Sequence, residues 1–586
     1  MKLSSGSCPI YFMAAVALCL LATCQPSLVM ANTNTNTNIN ANININAKHH
    51  ATDSEWGQMK IATNTNTNSE VDNPLEQQQV QQQGQQQEQE KEEVQEIQDM
   101  GAAVAIVGGG IAGFALAAGL SRLNVPFVLY ERAPQLRTQS QGMLVLRSSG
   151  YRAMESIDAE LALKVQSEGV EFETLKFKRI TCGSKDDDDG YNNDGKDDPT
   201  GININKKDVQ ITEGEMLTMK EMEVKKNGVA TIAMKWNVLQ STLASSVPVE
   251  AIQTGHSLTS FQEEQDDSNS GSGSNSNSGS GSGVILTFDN GKRVRCRALL
   301  ACDGTFSQVR KQMYDPKMDP IINYGMVNWS SIIPRASLPG GRPLTHTITA
   351  VTNLSPPKLY TFLNQCGDDE VFWQIRIVDR ELGFALSANG GRGGLGLVGA
   401  KEKLQSVLTG PGFEELAGAV AATPEENIFE RCIVARGSVP GPWTGAKGVR
   451  EGRVTLVGDA AHAMHPAAGI GANTALEGAA SLIDSIRKRI DQDSTDDICW
   501  ERVLNDYEQK HRPRADLNQR FSNIFGLGDG FTKPIEALIG GPEGLKQLQD
   551  WTQQAVVNAG EPPKGAADAL SGIDVMKRDG ISPLLY

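Results

Sequence analysis

Four short apolar stretches break the otherwise mixed pattern of this chain: Ala102-Ala-Val-Ala-Ile-Val107, Val125-Pro-Phe-Val-Leu-Tyr130, Ala298-Leu-Leu-Ala-Cys302 and Val454-Thr-Leu-Val457. Runs this short without polar alternation fit strands covered on both faces, as in a parallel sheet. Each stops abruptly at a glycine or an acid: Gly108, Glu131, Asp303 and the pair Gly458-Asp459. After the first, helical spacing begins at Phe114 and continues to Leu123; after the last, an alanine-rich helix is expected from near Asn473. Strand followed by helix, repeated, predicts an α/β fold. Lys235 to Leu243 reads as another helix from its Leu239/Leu243 spacing, and Gly142 to Ile157 as a turn and a helix. Asn290-Gly291 between two apolar runs predicts a hairpin. Gly169 to Phe177, Tyr324 to Ile333 and Glu370 to Ile377 read as strands. In the last of these, Phe372 and Trp373 must face opposite ways, so at most one lines a cavity and the other packs in a core.

Much of the 586-residue chain carries no such pattern. Residues 1–31 combine an early lysine, an apolar run from Ile10 to Cys24 and Val29-Met-Ala31, the layout of a secretory signal peptide. An uncleaved membrane anchor is the alternative, because the run is only slightly short of the ~20 residues that span a bilayer. Asn/Thr/Ile repeats and a Gln/Glu tract fill residues 32–100 and cannot bury an apolar face, so disorder is expected. An acidic insertion at 184–206 and a Gly/Ser/Asn insertion at 265–283 interrupt the patterned part. The net charge of −16 argues against a nucleic-acid partner. The acids of Asp186 to Asp198 lack the spacing of a calcium loop, and Cys182, Cys296, Cys302, Cys366, Cys432 and Cys499 lack C-x-x-C spacing. No metal site is expected, and buried free thiols are.

The chemistry lies at the ends of the apolar runs. Gly108-Gly-Gly110-Ile-Ala-Gly113 follows a strand and opens a helix, the context in which G-x-G-x-x-G binds a dinucleotide. Gly108 serves the tight turn, Gly110 the approach of backbone N–H groups to a pyrophosphate, and Gly113 the packing of helix on strand. Glu131, 18 residues beyond Gly113, stands where a carboxylate accepts ribose hydroxyls. Asp303-Gly304 and Asp459 repeat the strand-end acid. After Pro466, the small residues Gly469-Ile-Gly471-Ala472-Asn473 let backbone approach a planar ligand, with a helix N-terminus facing it. A flavin dinucleotide fits both the phosphate fingerprint and the planar site. Gly394 to Gly399 spells the same glycine pattern without a strand or a later acid and reads as a decoy.

Three motifs, Gly108 to Gly113 with Glu131, Asp303-Gly304 through Arg310, and Gly458-Asp459 through Asn473, resemble in order and spacing the single-component FAD-dependent monooxygenases. This family includes aromatic-ring hydroxylases related to 4-hydroxybenzoate and salicylate hydroxylases, and zeaxanthin epoxidase. The resemblance covers roughly residues 101–525, with Tyr507 to Arg514 similar to the helix that follows the flavin site. It implies a Rossmann-like FAD-binding domain interleaved with a mixed β-sheet substrate domain and a helical C-terminal region. The boundaries expected are 101–315 and 441–525 for the FAD-binding domain, 316–440 for the substrate domain and 526–586 for a helical tail. It implies FAD as cofactor and NAD(P)H as reductant, with Gly108, Gly110, Gly113 and Glu131 on the adenosine half. Asp303 and Gly304 are implied near the pyrophosphate and nicotinamide path, Asp459 at the ribityl and phosphate region, and Pro466, Gly469, Gly471, Ala472 and Asn473 at the isoalloxazine.

The chain departs from the family in places. Trp236, beside Lys235, stands where an arginine near FAD is common, and Gly478 where an acid is common. Trp329-Ser-Ser-Ile-Ile-Pro334 has half of the signature of flavin halogenases. The resemblance implies oxygen transfer to a small organic substrate, aromatic or isoprenoid, by hydroxylation or epoxidation. Two alternatives stay open: an oxidoreductase or oxidase of the same fold without oxygen insertion, and a non-catalytic FAD-bearing interaction protein. No side chain is assigned as catalytic; His462 reads as packing at a helix start, and His465 has no visible carboxylate partner. Asn328-Trp-Ser330 and Asn353-Leu-Ser355 match glycosylation acceptors, the first inside an expected strand. The signal predicts entry to the secretory route. Because NADPH is scarce outside cells, an endomembrane lumen or an organelle reached that way is favoured over secretion or membrane anchoring.

Overall fold

The uninterrupted apolar runs lie side by side in one parallel sheet. The computed structural model describes residues 97–525 apart from 102, 139–141, 173, 183–208, 218–227, 265–282, 339–346, 354–358, 368, 379–392, 410–411, 446–451 and 491–497. The expected signal peptide, the repeats, both insertions and the tail beyond 525 lie outside or almost wholly outside the described residues. Five strands form the parallel sheet in the order β20 (Val454–Leu456), β13 (Leu299–Ala301), β2 (Val104–Val107), β3 (Phe127–Glu131) and β9 (Ile252–Thr254). The strands β20, at one edge, and β13 and β2 beside it are buried along their whole length, which is why their sequences show no alternation.

Helices α1 (Ile111–Arg122), α4 (Trp236–Ala244) and α9 (Gly471–Ile490) share the apolar core of this sheet. Gly119 allows α1 to cross α9 closely: a Cβ there would stand 2.5 Å from Cγ1 of Ile483. An antiparallel meander, β10 (Leu258–Glu263), β11 (Val284–Phe288) and β12 (Arg293–Cys296), joins the same core, with β1 (Gln98–Asp99) parallel to β12. The predicted Asn290-Gly291 turn joins β11 to β12, and Gly291 takes φ +82°. One local expectation needs correction. Gly142 to Ile157 holds a strand before its helix: β4 (Met143–Leu146) pairs β8 (Ile232–Lys235), which also pairs β5 (Val170–Glu171), and α2 (Ser148–Ile157) follows. Four residues of alternating burial are too short a pattern to reveal that strand without its partner.

The mixed sheet has eight strands: β18 (Gly394–Leu395), β19 (Phe429–Arg436), β14 (Ile321–Pro334), β17 (Glu370–Val378), β16 (Leu359–Gly367), β15 (Thr347–Asn353), β6 (Thr174–Cys182) and β7 (Val209–Leu217). All neighbours are antiparallel except β15 and β6. Its two faces differ in chemistry. Val327, Trp329, Trp373, Ile375 and Ile377 pack with α6 (Ala400–Val407) and α7 (Glu414–Ala422) in a second core. Trp373 is fully buried there and its Nε1 donates to Thr423 Oγ1 at 2.9 Å. The alternate positions Asn328, Ser330, Gln374 and Arg376 are polar and point the other way. Phe372 shares that polar face, opposite Asn364, whose amide lies 3.9 Å from Sδ of Met143 in β4. Phe372 and Trp373 therefore divide between cleft side and core. Asn328, 1% exposed in a central strand, offers no glycosylation site.

Gly394 to Gly399 forms the short edge strand β18 and the entry to α6, far in topology from the parallel sheet. The remaining helices are α3 (Ala159–Ser167), α5 (Gln308–Met313), α8 (Asp459–His462) and α10 (Trp500–Phe525). Helix α10 is bound to α9 through Arg514, whose Nε lies 2.5 Å from Oε2 of Glu477. Cys296, Cys302, Cys366, Cys432 and Cys499 are free thiols. Among the described residues no helix is long and apolar enough to cross a membrane, and no acidic, histidine or cysteine cluster could hold a metal.

Candidate active site

The parallel register puts the strand-end groups on one edge. Ala301 is level with Val107 on one side and Leu456 on the other, and Val107 is level with Tyr130. Asp303, the glycine loop from Gly108, Asp459 and Glu131 therefore follow their strands at the same end. Three strand spacings, about 14 Å, separate the β20 end from the β3 end. In open α/β sheets this edge is where ligands bind.

At one extremity Glu131 binds the glycine loop. Its Oε2 accepts from Gly109 N at 2.7 Å and its Oε1 from Ala133 N at 2.9 Å, and each oxygen retains a lone pair for a hydroxyl. Gly108 turns with φ +109°, and a Cβ there would run into the Cys302 carbonyl. A Cβ on Gly113 would strike the Gly108 carbonyl, so α1 packs against the turn itself. Gly110 differs: nothing stands within 4 Å of its absent Cβ. Gln240 of α4 fixes the loop from outside by donating from Nε2 to the Gly109 carbonyl.

In the middle, Asp303 caps α5. Its Oδ2 accepts from Gln308 N at 2.7 Å and Val309 N at 3.2 Å, while the buried Oδ1 has no partner. Burial raises its pKa, and the bonds from Ser307, Val309 and Gln308 oppose the rise. Arg310, wholly buried in the same helix, reaches across to α8: its Nη1 donates to the carbonyls of Ala460 at 3.1 Å and Ala461 at 2.7 Å. Its other nitrogens hold Asp319, which also accepts from Arg436 Nη1 at 2.9 Å. This network sets the position of α8, and so of Asp459.

At the far extremity the Asp459 side chain is exposed although it stands amid the fold, as expected for a group lining an internal cleft. Desolvation raises its pKa, while the charge of Arg431 and a bond from Thr305 lower it. Gly469 takes φ +64° and, like Gly304, has nothing within 4 Å of the place a Cβ would take; Gly471 meets only Met464 Cγ at 3.9 Å. Pro466 opens the short 3₁₀ turn before Gly469, and α9 starts at Gly471-Ala472, with its first amides beyond the reach of intrahelical acceptors. Open backbone at Gly110, Gly304 and Gly469 along one edge, together with an orphaned acceptor on Asp303, forms a cradle that side chains would have filled. These residues fit FAD.

Asn473 has another task. Its Oδ1 accepts from Arg147 N at 2.8 Å and its Nδ2 donates to Val145 O at 2.9 Å and Gly469 O at 3.3 Å. With both side-chain amide hydrogens engaged, it ties β4 and the Gly469 turn to α9, and a flavin contact would fall to its backbone N–H in the first turn of that helix. His462 also faces away: its ring is fully buried between Trp443 and His511, with centroids at 5.8 and 5.7 Å. His465 is 1% exposed and packs edge-on to Tyr324 at 4.5 Å. At the family's arginine position, Trp236 carries the Arg137 guanidinium over its ring at 5.2 Å, and Lys235 is paired with Glu370 at 2.6 Å.

The profile of the FAD binding domain family matches residues 101–339 and 444–522. The chain belongs to this family. Within it the chain is an FAD-dependent monooxygenase by descent. An FAD-dependent monooxygenase of a Phoma species is 24% identical over 416 residues, spanning 66% of this chain and 78% of that protein. A salicylate hydroxylase of Sarocladium schorii is 26% identical over 233 residues, but only 40% of that enzyme's length is spanned. Among solved structures, HpxO of Klebsiella pneumoniae complexed with FAD and uric acid matches with a TM-score of 0.51 and 15% identity, covering 81% of this chain and 97% of that one. This last likeness establishes the fold of the FAD-binding monooxygenase.

Sequence reasoning carried Arg310 only as the end of its second motif and missed Asp319, Arg436 and Gln240, which fix this edge, together with Arg376 and Arg431 of the mixed sheet. Charged residues at alternate positions of otherwise apolar strands, as in Gln374-Ile-Arg376-Ile, were the available signal.

Proposed function

We propose that this monooxygenase consumes NAD(P)H and oxygen to place one oxygen atom on a small organic substrate, by ring hydroxylation or epoxidation, and releases the other as water. One observation carries the reading: backbone left open at Gly110, Gly304 and Gly469 lies along one edge with Asp459, whose charge is offset by Arg431 on the polar face of the mixed sheet. A substrate enclosed there lies between a cofactor cradle and a polar roof.

Bound FAD supplies hydride acceptance and oxygen activation, chemistry that no side chain provides. The chain's residues bind and orient. Glu131 accepts the adenosine ribose hydroxyls, and the amides around Gly110 meet the pyrophosphate. Asp459 accepts from the ribityl chain. Pro466, Gly469, Gly471 and Ala472 border the ring, and the α9 N-terminus stabilises negative charge there. His465 stays neutral, because burial and the cations Arg376 and Arg431 hold its pKa well below the ordinary value. It is a hydrogen-bonding group rather than a proton carrier. The sheet and its helices keep bulk water from the enclosed substrate.

Purified protein tests the reading. NADPH-dependent bleaching of bound FAD with an oxygenated product is expected; peroxide as the sole product would make it an oxidase. Asp459→Ala should weaken FAD binding roughly 10- to 100-fold, the worth of hydrogen bonds to a charged group; a variant that purifies yellow with unchanged affinity would refute the assignment. We further propose that residues 1–31 direct the chain into the secretory route, by cleaved signal or by retained anchor. Imaging of a chain tagged at its C-terminus, with and without residues 1–31, tests this: unchanged distribution on deletion would overturn it.

A further inference from the structure

The loop that leaves β3 is fixed at both ends and carries a cation between them. Glu131 Oε1 accepts from Ala133 N at 2.9 Å, and the Ala133 carbonyl accepts from Gly255 N at 2.9 Å. Leu136 packs on the core of the parallel sheet, and the Thr138 carbonyl accepts from Asn237 Nδ2 of α4 at 3.0 Å. Arg137 therefore projects from backbone that is held on either side of it. Its guanidinium lies over the ring of Trp236, the first residue of α4, at 5.2 Å.

The same helix touches the glycine loop. Gln240, one turn beyond Trp236 and on the same face, donates to the Gly109 carbonyl. Trp236 and the arginine on it thus stand about one helical turn, ~5 Å along the axis, from the loop in which Gly110 leaves its backbone open. Arg137 and Glu131 both belong to the segment at the carboxyl end of β3, on the edge where ligands bind.

That edge is short of positive charge. Glu131, Asp303 and Asp459 are all acids, and the pyrophosphate of a dinucleotide adds two negative charges. Arg310 cannot supply the cation, because it is fully buried and all five of its donors are engaged by Asp319, Ala460, Ala461 and Gly437. Arg137 is exposed, and among the described residues no carboxylate pairs with it. A guanidinium held against an aromatic face keeps its N–H edge for oxygens, and two oxygens of a phosphate match that edge.

We propose that Arg137, braced on Trp236, binds the pyrophosphate of FAD. The loop after β3 then delivers the guanidinium, and the indole of α4, which departs from the arginine common at that position, serves as its platform. The proposal rests on the placing of the pyrophosphate at Gly110 and adds the cation that this placing lacks.

The test uses the full chain freed of flavin and titrated with FAD by quenching of flavin fluorescence, at low salt and at ~1 M salt, where the Debye length is ~3 Å. Arg137→Gln should weaken FAD binding about tenfold or more at low salt. The thermal midpoint of the flavin-free chain should be unchanged, and the affinity of the variant should respond less to salt than the parent's. Trp236→Phe, which keeps a ring beneath the guanidinium, should stay near the parent, whereas Trp236→Leu should approach Arg137→Gln. The double variant Arg137→Gln/Trp236→Leu should bind no more weakly than Arg137→Gln alone, because the ring acts through the arginine. Parent-like affinity in Arg137→Gln, a salt response that the substitution leaves unchanged, or fully additive losses would overturn the proposal. Should Trp236→Leu fail to fold, Arg137→Gln and its salt response decide alone. Gly110→Ala separates the two levels: if it keeps its FAD affinity, the placing of the pyrophosphate fails, whereas a loss there with none in Arg137→Gln defeats only the role of the arginine.

Discussion

The guanidinium of Arg310 grips both carboxylate oxygens of Asp319, at 2.7 Å through Nε and 2.6 Å through Nη2, with both side chains buried. Asp319 is shared with Arg436, and the remaining donors of Arg310 end on the carbonyls of Ala460, Ala461 and Gly437. Removing one member leaves the others as unpaired buried charges. Asp319→Asn should therefore cost about 3–5 kcal/mol. Because α8 hangs from Arg310, FAD affinity should fall with stability although Asp319 touches no ligand. Thermal unfolding and FAD titration of Asp319→Asn and Arg310→Lys check this; Arg310→Lys should not rescue, since an ammonium cannot make the two-pronged contact. Normal FAD affinity in either variant would show that α8 is held by other means.

The glycine loop permits a cleaner separation of folding from binding. A methyl at Gly110 meets nothing within 4 Å, whereas one at Gly113 collides with the Gly108 carbonyl. Gly110→Ala should fold with an unchanged midpoint when free of FAD and lose FAD affinity by tenfold or more, because its methyl occupies the pyrophosphate approach. Gly113→Ala should fail at the folding step. If Gly110→Ala binds FAD as tightly as the parent chain, the phosphates lie elsewhere.

Those two glycines mark what could be read along the chain. The places of Gly108, Gly113, Glu131 and Asp459 at the ends of the parallel strands were legible because strand, turn residue and acid follow one another within a few positions. The row of Arg431, Asn328 and Arg376 was not. Its members are about 50 to 100 residues apart in sequence, and only the registers of β19 on β14 and β14 on β17 bring them level. The structural task of Asn473 was hidden for a related reason: its partners are Val145, on a strand that four residues could not announce, and Arg147, just beyond that strand. The two faces of the mixed sheet were half legible, since alternation separates Phe372 from Trp373 but cannot say which face meets the cofactor domain.

Acid should weaken the fold through two buried imidazoles. His462 and His511 have their pKa values pulled down to about 3, first by burial, then by each other's neighbourhood: His511 and Arg310 act on His462 against Glu477, and Arg514 acts on His511. Depressed values mean that the unfolded chain takes up protons which the native one refuses. Their stabilising effect is complete above the unfolded value near 6.5 and is lost as the pH falls toward 3. At pH 5 the loss is about 2 kcal/mol for each ring. The raised carboxyls of Asp303 and Asp459 act in the opposite sense, favouring the fold below the ordinary carboxylate range and losing that effect as the pH rises. The useful comparison is thus between chains: thermal midpoints from pH 7.5 to 5 should fall less steeply for His511→Gln than for the parent. Parallel curves would show that these rings do not set the acid limit.

The same histidine explains the missing acid of the third motif. A Cβ on Gly478 would stand 2.9 Å from Nε2 of His511 and 3.5 Å from the Tyr507 hydroxyl, so helix α10 occupies the room in which a carboxylate would stand. His511 is 4% exposed and stacked on Tyr507 with ring centroids at 5.8 Å, and it cannot swing aside without opening the core. Gly478→Ala should therefore gain little from helix propensity and lose about 1–3 kcal/mol to overpacking. Gly478→Asp should lose more, since it adds a buried charge. Combining Gly478→Asp with His511→Ala should recover part of that loss by vacating the space, giving a coupling above the roughly 0.5 kcal/mol seen for independent sites. Denaturant unfolding of the two single variants and the double variant measures it. Strict additivity would mean that Gly478 is small for some reason other than the imidazole beside it.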